Sequence, residues 1–223
     1  MFQELNSYFV KYEINFDNVA MTLLEKFWNK VEVASKFQDL TKITKDKDEI
    51  LAKHFLDSFS PIFFMKEMGI ELSKKYEYCV DIGTGGGFPG VPLGLYFSDK
   101  KWFLVDARNK KIQFLKTALS DLKLDQFIPY HGRAEEMSKK NKELIGNTGI
   151  ITARAIKLDN KILNEVYNLL SDNGILIQLC GPSAIELPFS EKKKLIEIAD
   201  FKPELSPLTI HHRIRVFQKR GEK

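Results

Sequence analysis

Residues 80–90 read VDIGTGGGFPG, and this stretch decides the fold. Four glycines, at positions 83, 85, 86 and 87, follow directly after a short apolar run that is typical of a buried strand. Because glycine lacks a Cβ, the backbone can turn tightly there and approach a nucleotide-like ligand closely. The stretch therefore predicts a strand followed by a glycine-rich turn that forms part of a cofactor site.

From Tyr76 onward, short apolar runs alternate with stretches of helical periodicity. Such alternation predicts an α/β fold with a mostly parallel, twisted sheet and helices on both faces. The expected strands are YEYCVDI at 76–82, KWFLVDA at 101–107, FIPYHG at 127–132, GIITARA at 149–155 and GILIQLCG at 174–181.

The C-terminal region predicts a different arrangement. Beyond Pro188, Ser190 is expected to cap a short helix that runs through Ala199. The segments ELSPLTI at 204–210 and RIRVFQK at 213–219 are expected to be two strands. We predict that they form an antiparallel hairpin at the edge of the sheet.

Residues 1–72 predict a helical N-terminal extension, and residues 73–223 predict the cofactor-binding domain. A second helix of the extension is expected to begin at Asp46, whose carboxylate can cap its first turn, and Pro61 is expected to break or restart that helix. The first clear helix of the extension is amphipathic, with apolar residues at helical spacing. These residues are Leu23, Leu24, Phe27, Trp28 and Val31.

Composition places few limits on function. The 223 residues are 43% hydrophobic and 29% charged, which suits one globular domain with an extension, and the formal net charge is +4. Several lysine pairs permit a polyanionic partner without showing one.

Two cysteines are too few for a disulfide framework and indicate a reducing cytoplasm. The sequence shows neither a secretion signal nor an apolar run long enough to span a membrane, so no membrane association is expected.

Two cofactor classes fit the glycine spacing. Gly85, Gly87 and Gly90 satisfy G-x-G-x-x-G, and Asp106 ends the next strand, as a dinucleotide fold requires. However, an ionised Asp81 just before the turn would repel a pyrophosphate. It suits S-adenosylmethionine, which carries an ammonium and a sulfonium but no phosphate. The absence of Lys-Ser or Lys-Thr after the glycines excludes a Walker-type phosphate loop. An S-adenosylmethionine-dependent methyltransferase is therefore favoured over a dinucleotide enzyme or a purely structural turn.

Six motifs spread over most of the chain carry a family resemblance. They are LTKI at 40–43, KHFLDSF at 53–59, DIGTGGGFPGVPL at 81–93, LVDARNKKIQFL at 104–115, GRAEE at 132–136 and ARA at 153–155. In their order, and in the FPG continuation of the glycine turn, the chain resembles the bacterial 16S ribosomal RNA guanine-N7 methyltransferases, also called RsmG or glucose-inhibited division protein B. It departs from the usual family pattern at Asp39, where asparagine is common, and at Cys180, where lysine is common.

The resemblance implies a Rossmann-like class I methyltransferase domain behind a helical extension. Its cofactor would be S-adenosyl-L-methionine, and its substrate would be one guanine of 16S rRNA, either as free RNA or in the small ribosomal subunit. Gly83, Gly85 and Phe88 would line the methionine and ribose side of the cofactor. Asp106 would hold the ribose, because a carboxylate there can accept hydrogen bonds from both hydroxyls.

The resemblance also places site residues after the third and fourth strands. Ala134 and Glu135 would flank the adenine edge, and Arg154 would face both the cofactor and the entering guanine. An independent physical reason supports these positions, since the carboxyl ends of parallel strands converge on one crevice where ligands bind.

The expected chemistry needs no general base and no metal. Guanine N7 carries an in-plane lone pair and no hydrogen, so the enzyme mainly has to align the reactants. A donor on N7 would block the nucleophile, so Arg154 is assigned to guanine O6, a phosphate or the cofactor carboxylate. The candidates for an RNA-facing rim are Lys110, Lys111, Arg133 and Arg213.

Three alternatives stay open on the sequence. Cys180 could attack C6 of cytosine and direct methylation to C5, or the substrate could be a small molecule. The chain could also be a non-enzymatic RNA-binding assembly factor with an idle pocket. A hydrolase triad of His54, Asp57 and Ser58 is disfavoured, because these residues share one helical turn. We expect His54 and Asp57 to bridge the extension to the glycine turn, and no obligate protein partner is evident.

Overall fold

The computed structural model describes residues 1–38, 40–41, 46–70, 76–181, 195–205, 208–209 and 213–221. The N-terminal part of these ranges is helical. It contains α1 Phe2–Lys11, α2 Asn18–Ser35, α3 Lys47–Ile50, a π-helical segment Leu51–Leu56 and α4 Asp57–Glu67. The caps explain two of the starts: Asp17 accepts a hydrogen bond from the backbone N–H of Ala20 at the start of α2, and Asp46 accepts one from Asp48 at the start of α3. Both predicted helices of the extension are confirmed.

Helix α4 passes through Pro61, so the predicted break there is wrong. A proline inside a helix leaves the carbonyl four residues earlier without its usual N–H donor. Here that carbonyl belongs to Asp57, and the buried hydroxyl of Ser60 donates a hydrogen bond to it over 3.1 Å. The side chain before the proline thus satisfies the acceptor that the proline leaves open.

The rest of the described chain alternates strands and helices. The elements are β1 Tyr78–Ile82, α5 Gly90–Tyr96, β2 Lys101–Asp106, α6 Asn109–Asp121, β3 Phe127–His131, α7 Met137–Lys140, β4 Thr148–Arg154, α8 Asn160–Leu169, β5 Leu170–Cys180, β6 Leu195–Phe201, β7 Glu204–Leu205, β8 Leu208–Thr209 and β9 Arg213–Lys219. All five strands predicted between positions 76 and 181 are confirmed.

One sheet of seven strands runs in the order β3-β2-β1-β4-β5-β9-β6. The strands from β3 to β5 pair in parallel, whereas β9 is antiparallel to both β5 and β6. This confirms the α/β class I methyltransferase architecture with an antiparallel C-terminal hairpin. β1 lies at the centre of the five parallel strands. Because these strands run in the same direction, the loops after β1, β2, β3 and β4 meet at one edge of the sheet.

The strands of the hairpin differ from those predicted. The partner of β9 at the sheet edge is β6, while β7 and β8, from the ELSPLTI segment, pair only with each other in the described part of the chain. The predicted helix from Ser190 to Ala199 is also wrong, because its described residues from Leu195 onward belong to β6. An open edge of β9 offers a full row of backbone partners, and this pairing overrides a weak helical preference. Residues 190–194, Asp39, His211 and His212 lie outside the described residues.

The extension packs directly on the glycine turn. Phe27 of α2 is fully buried, and a Cβ built on Gly87 would lie 2.8 Å from its ring. The aromatic ring thus occupies the space that a side chain at position 87 would need. None of the described helices is long and apolar enough to cross a membrane.

We predict that Ser60→Ala lowers the free energy of unfolding by about 1 kcal/mol, because it leaves the buried Asp57 carbonyl without a donor. In a Pro61→Ala background the backbone N–H of residue 61 can donate to that carbonyl. Ser60→Ala should therefore lower the free energy of unfolding much less in this background. Urea unfolding of the four proteins in this double-mutant cycle measures the coupling. An equal cost of Ser60→Ala in both backgrounds would contradict the assignment.

Candidate cofactor site

The glycine turn adopts backbone conformations that side chains disfavour. Gly83, Gly85 and Gly87 have φ values of 68°, 58° and 98°, in the left-handed region. The N–H of Thr84 donates to the carbonyl of Val105 on β2, which fixes the turn to the neighbouring strand. The sequence prediction of a tight turn after β1 is therefore confirmed.

The two outer glycines lie tight against protein atoms, whereas Gly85 has room for a Cβ. A Cβ on Gly83 would lie 2.1 Å from Cδ1 of Ile156, and one on Gly87 would meet Phe27. At Gly85 the nearest atom, Nζ of Lys111, would lie at 3.7 Å, which is ordinary contact distance. Gly85 is itself buried, and of these three glycines only Gly83 is partly exposed.

The carboxylate of Asp106 lies at the end of β2 and faces this turn. It accepts a hydrogen bond from the N–H of Gly85 at 3.0 Å, and it also accepts from the backbone N–H and the guanidinium of Arg108. Burial acts to raise the pKa of Asp106, but the hydrogen bonds and charge of Arg108 outweigh it and lower the pKa below its usual value. Asp106 is therefore a buried, ionised acceptor that contacts the middle of the turn.

Asp81 is buried beneath the turn and braces it. One carboxylate oxygen accepts from the N–H of Gly90 at 3.0 Å, and the other accepts from the hydroxyl of Thr152 on β4 at 2.7 Å. Burial raises the pKa of Asp81 to about 6, against the opposing effect of these hydrogen bonds. Besides its negative charge, which the sequence predicts to favour a cationic cofactor, Asp81 joins β1, the start of α5 and β4.

The residues after β3 lie on a short 3-10 turn, Ala134–Glu136. Ala134 is buried, and the partly exposed Glu135 lies 3.6 Å from the guanidinium of Arg133. Arg133 itself is largely exposed. This turn follows the strand next to β2, so it stands beside Asp106 at the same edge of the sheet.

Arg154, at the end of β4, binds the extension. Its Nη1 donates to the backbone carbonyl of Lys53 at 2.8 Å and to the carboxylate of Asp57 at 3.1 Å. Asp57 is fully buried, and the Arg154 side chain is 17% exposed. The next residue, Ala155, has a φ of 55°, a strained conformation for a side-chain-bearing residue that recurs at functional sites.

Phe88 does not line an open surface. Its ring is 2% exposed and packs 5.1 Å from the His54 ring and 6.1 Å from that of Trp28, both from the extension. The guanidinium carbon of Arg154 lies 5.9 Å from the centroid of the same ring. Phe88 and Asp57 therefore hold Arg154 between them, and both His54 and Asp57 connect the extension to the turn region, as the sequence predicted.

The structure separates the four proposed RNA-facing residues. Lys110 is exposed at the start of α6, and Arg133 is exposed as described above. Lys111, in contrast, is buried and donates through Nζ to the carbonyl of Leu40 at 2.9 Å. Its expected place on the rim is therefore wrong, because α6 turns consecutive side chains in different directions.

Arg213 begins β9 and lies opposite Cys180, the last residue of the parallel strand β5. Its guanidinium forms a bidentate ion pair with Asp200 of β6. Its backbone carbonyl accepts the Sγ–H of Cys180 at 3.3 Å. Burial raises the pKa of the Cys180 thiol, so less of it is present as the reactive thiolate.

Two important partners escaped the sequence reasoning. Thr152 lies opposite Asp81 in the β1–β4 register, and nothing in the sequence signals that pairing because the two positions are 71 residues apart. Arg108, two residues after Asp106, could have been found as a local side-chain-to-backbone turn, since aspartates often bind the N–H two positions on.

These features fit the adenosine and methionine parts of S-adenosylmethionine. Gly85 has a left-handed backbone, and the ionised Asp106 offers acceptors for ribose hydroxyls beside it. The carboxylates of Asp81 and Asp106 both contact the turn, which suits a cationic cofactor better than a pyrophosphate. The ammonium of Lys111 and the guanidinium of Arg108 also lie near the turn.

Comparison with known proteins supports one family. A family model described as rRNA small subunit methyltransferase G (GidB) matches residues 20–209. The chain is 33% identical over 185 residues to Ribosomal RNA small subunit methyltransferase G of Geobacillus sp. (strain WCH70), covering 83% of this chain and 74% of that protein. It is 39% identical over 148 residues to the protein of the same name from Mesoplasma florum, covering 66% and 58%.

Solved structures share the fold at low sequence identity. A putative rRNA-methylase from Clostridium thermocellum aligns with a TM-score of 0.53 at 17% identity, covering 74% of this chain and 97% of that one. A mutant of MtNAS, solved in complex with S-adenosylmethionine, aligns with a TM-score of 0.56 at 12% identity, covering 97% and 78%. At these identities the likeness shows the fold alone.

We predict that Asp81→Asn removes a pH dependence of stability. Because the pKa of Asp81 rises from 3.8 to about 6 on folding, the folded state holds the proton more tightly than the unfolded chain. The contribution of Asp81 to the free energy of unfolding is complete below about pH 4. It is lost as the pH rises to about 6, and within that window it falls by roughly 1.4 kcal/mol per pH unit. The free energy of unfolding of wild type relative to the variant should fall by about 2–3 kcal/mol across that window.

Urea unfolding of wild type and Asp81→Asn at several pH values between 4 and 7 measures this difference. Groups that titrate in both proteins contribute equally to the two free energies of unfolding, so their effects cancel. Asp125→Asn, which removes an exposed carboxylate, controls for the loss of one charge. Parallel stability curves for wild type and Asp81→Asn would show that Asp81 is not the buried titrating group.

Proposed function

Because the chain belongs to the rRNA small subunit methyltransferase G family, we propose that it methylates N7 of a guanine in 16S rRNA with S-adenosylmethionine as donor. The observation in the structure that carries this proposal is the contact between Gly85, in the left-handed part of the turn, and the ionised Asp106 at the end of β2. That contact places a carboxylate acceptor directly beside a glycine turn, as an adenosine-bearing cationic cofactor requires.

Seven residues are proposed to form the cofactor site, in three groups. Gly83 and Gly85 give the close backbone approach, and Asp106 accepts from the ribose hydroxyls. The turn after β3 flanks the adenine with the small Ala134 and with Glu135. Phe88 is proposed to act indirectly. Its buried ring packs against the guanidinium of Arg154 and does not line an exposed surface of the site.

Arg154 is proposed to orient the guanine or the cofactor carboxylate. It is held by the Asp57 carboxylate and the Lys53 carbonyl through one nitrogen, Nη1. The planar guanidinium has further N–H donors that can reach O6 or a phosphate. A position on O6 leaves the N7 lone pair clear, so Arg154 aligns the base without blocking its nucleophilic atom.

The chemistry is then a matter of alignment. When bound, S-adenosylmethionine supplies an electrophilic methyl group on a sulfonium. Guanine N7 bears no hydrogen, so no side chain has to remove a proton. Holding the reactants in line can lower the barrier by about 7–11 kcal/mol. Rigid support of Arg154 by Phe88 and Asp57 serves this alignment.

We propose that residues 1–72 act as an extension that shapes the site of a methyltransferase domain at 73–223. The buried contacts of Phe27 with the turn and of Asp57 with Arg154 support this division of roles. We also propose that the protein acts in the cytoplasm, where 16S rRNA is made, and needs no obligate protein partner.

Cytosine C5 methylation through Cys180 is less well supported. That route needs an accessible thiolate, whereas Cys180 is 6% exposed and its pKa is raised by burial. Cys180 also donates to the Arg213 carbonyl, as a structural thiol would. Methylation of guanine N7, which needs no nucleophile from the protein, fits the same surroundings.

We predict that Gly83→Val abolishes binding of S-adenosylmethionine. The new side chain would overlap Ile156 and would disfavour the left-handed backbone that opens the turn. Gly146→Val is the matched control, since Gly146 has a similar φ of 66° but no neighbour within 4 Å of its added Cβ. Calorimetric titration measures binding, and circular dichroism checks folding. A folded Gly83→Val protein that binds normally would show that the pocket lies elsewhere.

The substrate is tested with labelled S-adenosylmethionine and small ribosomal subunits from a strain that lacks the gene. We expect one guanine of 16S rRNA to acquire a methyl group that mass spectrometry identifies as 7-methylguanosine. Labelled 5-methylcytidine would favour the Cys180 route instead. Cofactor binding without transfer to any rRNA nucleotide would favour a non-enzymatic assembly factor.

A further inference from the structure

A groove lies on the surface of α6, between this helix and the segment that follows α2. We name it the α6 groove and define it by its six lining residues. They are Gln38, Asn109, Lys110, Gln113, Phe114 and Thr117. Next to Gln38 along the chain, Phe37 is 84% exposed, more than any other large apolar side chain in the described ranges. An aromatic ring this exposed gains little from folding and is available to a partner.

The segment that carries Phe37 is held in place. The backbone N–H groups of Phe37 and Gln38 both donate to the carbonyl of Ala34 at the end of α2. Two residues on, the carbonyl of Leu40 accepts from the buried Nζ of Lys111 on α6. The exposed ring therefore sits on an anchored backbone, which limits the entropy lost when it binds a partner.

The α6 groove adjoins the cofactor turn. Helix α6 begins at Asn109, three residues after Asp106, so its first turn stands at the edge of the sheet where the cofactor site lies. Added Cβ atoms on Gly85 and Gly86 would lie 3.9 Å and 3.7 Å from the Leu40 carbonyl oxygen. The anchored segment thus contacts the glycine turn on one side and carries the groove on the other.

The lining has the chemistry of a nucleotide site. It combines three side-chain amides, one hydroxyl and the ammonium of Lys110, and none of the six lining residues carries a carboxylate. The amides of Gln113 and Asn109 already hydrogen-bond each other at 3.3 Å, which fixes their orientation. Amides can read base edges, and an ammonium can contact a phosphate.

We propose that the α6 groove binds an unpaired nucleotide of the rRNA that lies next to the target guanine. The base stacks on Phe37, the amides of Gln38 and Gln113 contact its edge, and Lys110 contacts its phosphate. This proposal rests on the proposed function, since it assigns the groove to the same RNA substrate. Stacking on exposed aromatic side chains is the usual way in which proteins hold unpaired bases.

The hydrogen-bonding groups and the lysine of the lining favour RNA over a protein partner. Protein-binding surfaces are depleted of lysine and have an apolar centre, whereas five of the six lining residues carry an amide, a hydroxyl or an ammonium, and Phe37 precedes one of them, Gln38, in the chain. Phe114, the other aromatic ring of the groove, packs partly into the core, 6.4 Å from Phe27. It closes the floor of the groove and is not itself the stacking platform.

The test compares Phe37→Ala and Phe37→Trp with wild type. We expect Phe37→Ala to raise KM for small subunits, and Kd for 16S rRNA, roughly five- to thirtyfold by loss of one stacked base, with kcat and S-adenosylmethionine affinity unchanged. Phe37→Trp should restore both constants. Because Trp28 and Trp102 are buried, quenching of the additional fluorescence of Phe37→Trp on addition of 16S rRNA reports stacking directly.

A second variant and a control complete the design. Lys110→Ala should weaken rRNA binding. It should also reduce the slope of log Kd against the logarithm of the salt concentration by the amount expected for the loss of about one phosphate contact. Ile145→Ala removes an apolar side chain that is 50% exposed elsewhere on the surface, and it should change neither constant. Unchanged rRNA affinity of Phe37→Ala, or no quenching of Phe37→Trp, would overturn the proposal. The direct binding assay stays informative even if no methyl transfer is found, so the two proposals fail separately.

Discussion

The carboxylate of Asp81 is fully buried at the end of the central strand, and the site depends on the two hydrogen bonds that it accepts. The N–H of Gly90 binds one oxygen, and the hydroxyl of Thr152 binds the other. A buried carboxylate is costly unless it is hydrogen-bonded, so the surrounding backbone is constrained to supply those donors. Gly90 can do so only because it lacks a side chain: an added Cβ would lie 2.6 Å from the same carboxylate oxygen. One buried group thereby fixes the turn, the start of α5 and the neighbouring strand.

The extension is the second constraint on the site. Its aromatic residues reach the turn from α2 and from the π-helical segment, and they enclose Phe88. Asp57 then holds Arg154 through a buried ion pair with one oxygen–nitrogen distance of 3.1 Å. The residues proposed to bind the cofactor come from the sheet domain, but the orientation of the arginine depends on residues far earlier in the chain. A site built in this way ties substrate alignment to the packing of the helical extension.

Much of the architecture was predictable because it rests on local patterns. Five strands, the turn after β1 and the helix cap at Asp46 follow from apolar periodicity, glycine spacing and a capping residue. The errors have physical causes that local patterns do not carry. Pro61 stays inside α4 because the Ser60 hydroxyl takes over an orphaned carbonyl, and β6 forms where a helix was expected because β9 offers an open edge. Lys111 is buried because the Leu40 carbonyl lies within its reach.

By itself, the sequence determined the class of fold, the place of the cofactor turn and the family, since these depend on short motifs and on the order of strands. Only the tertiary structure decided which charged residues are available to a ligand. The sequence predicted Asp106 and Arg154 as cofactor-site residues and Lys111 and Arg213 as RNA-facing residues, and each of the four is bound to a partner in the fold. A partner such as Thr152 for Asp81, or Asp57 for Arg154, comes from a distant part of the chain. Burial and pairing at that range are set by packing, which no local motif records.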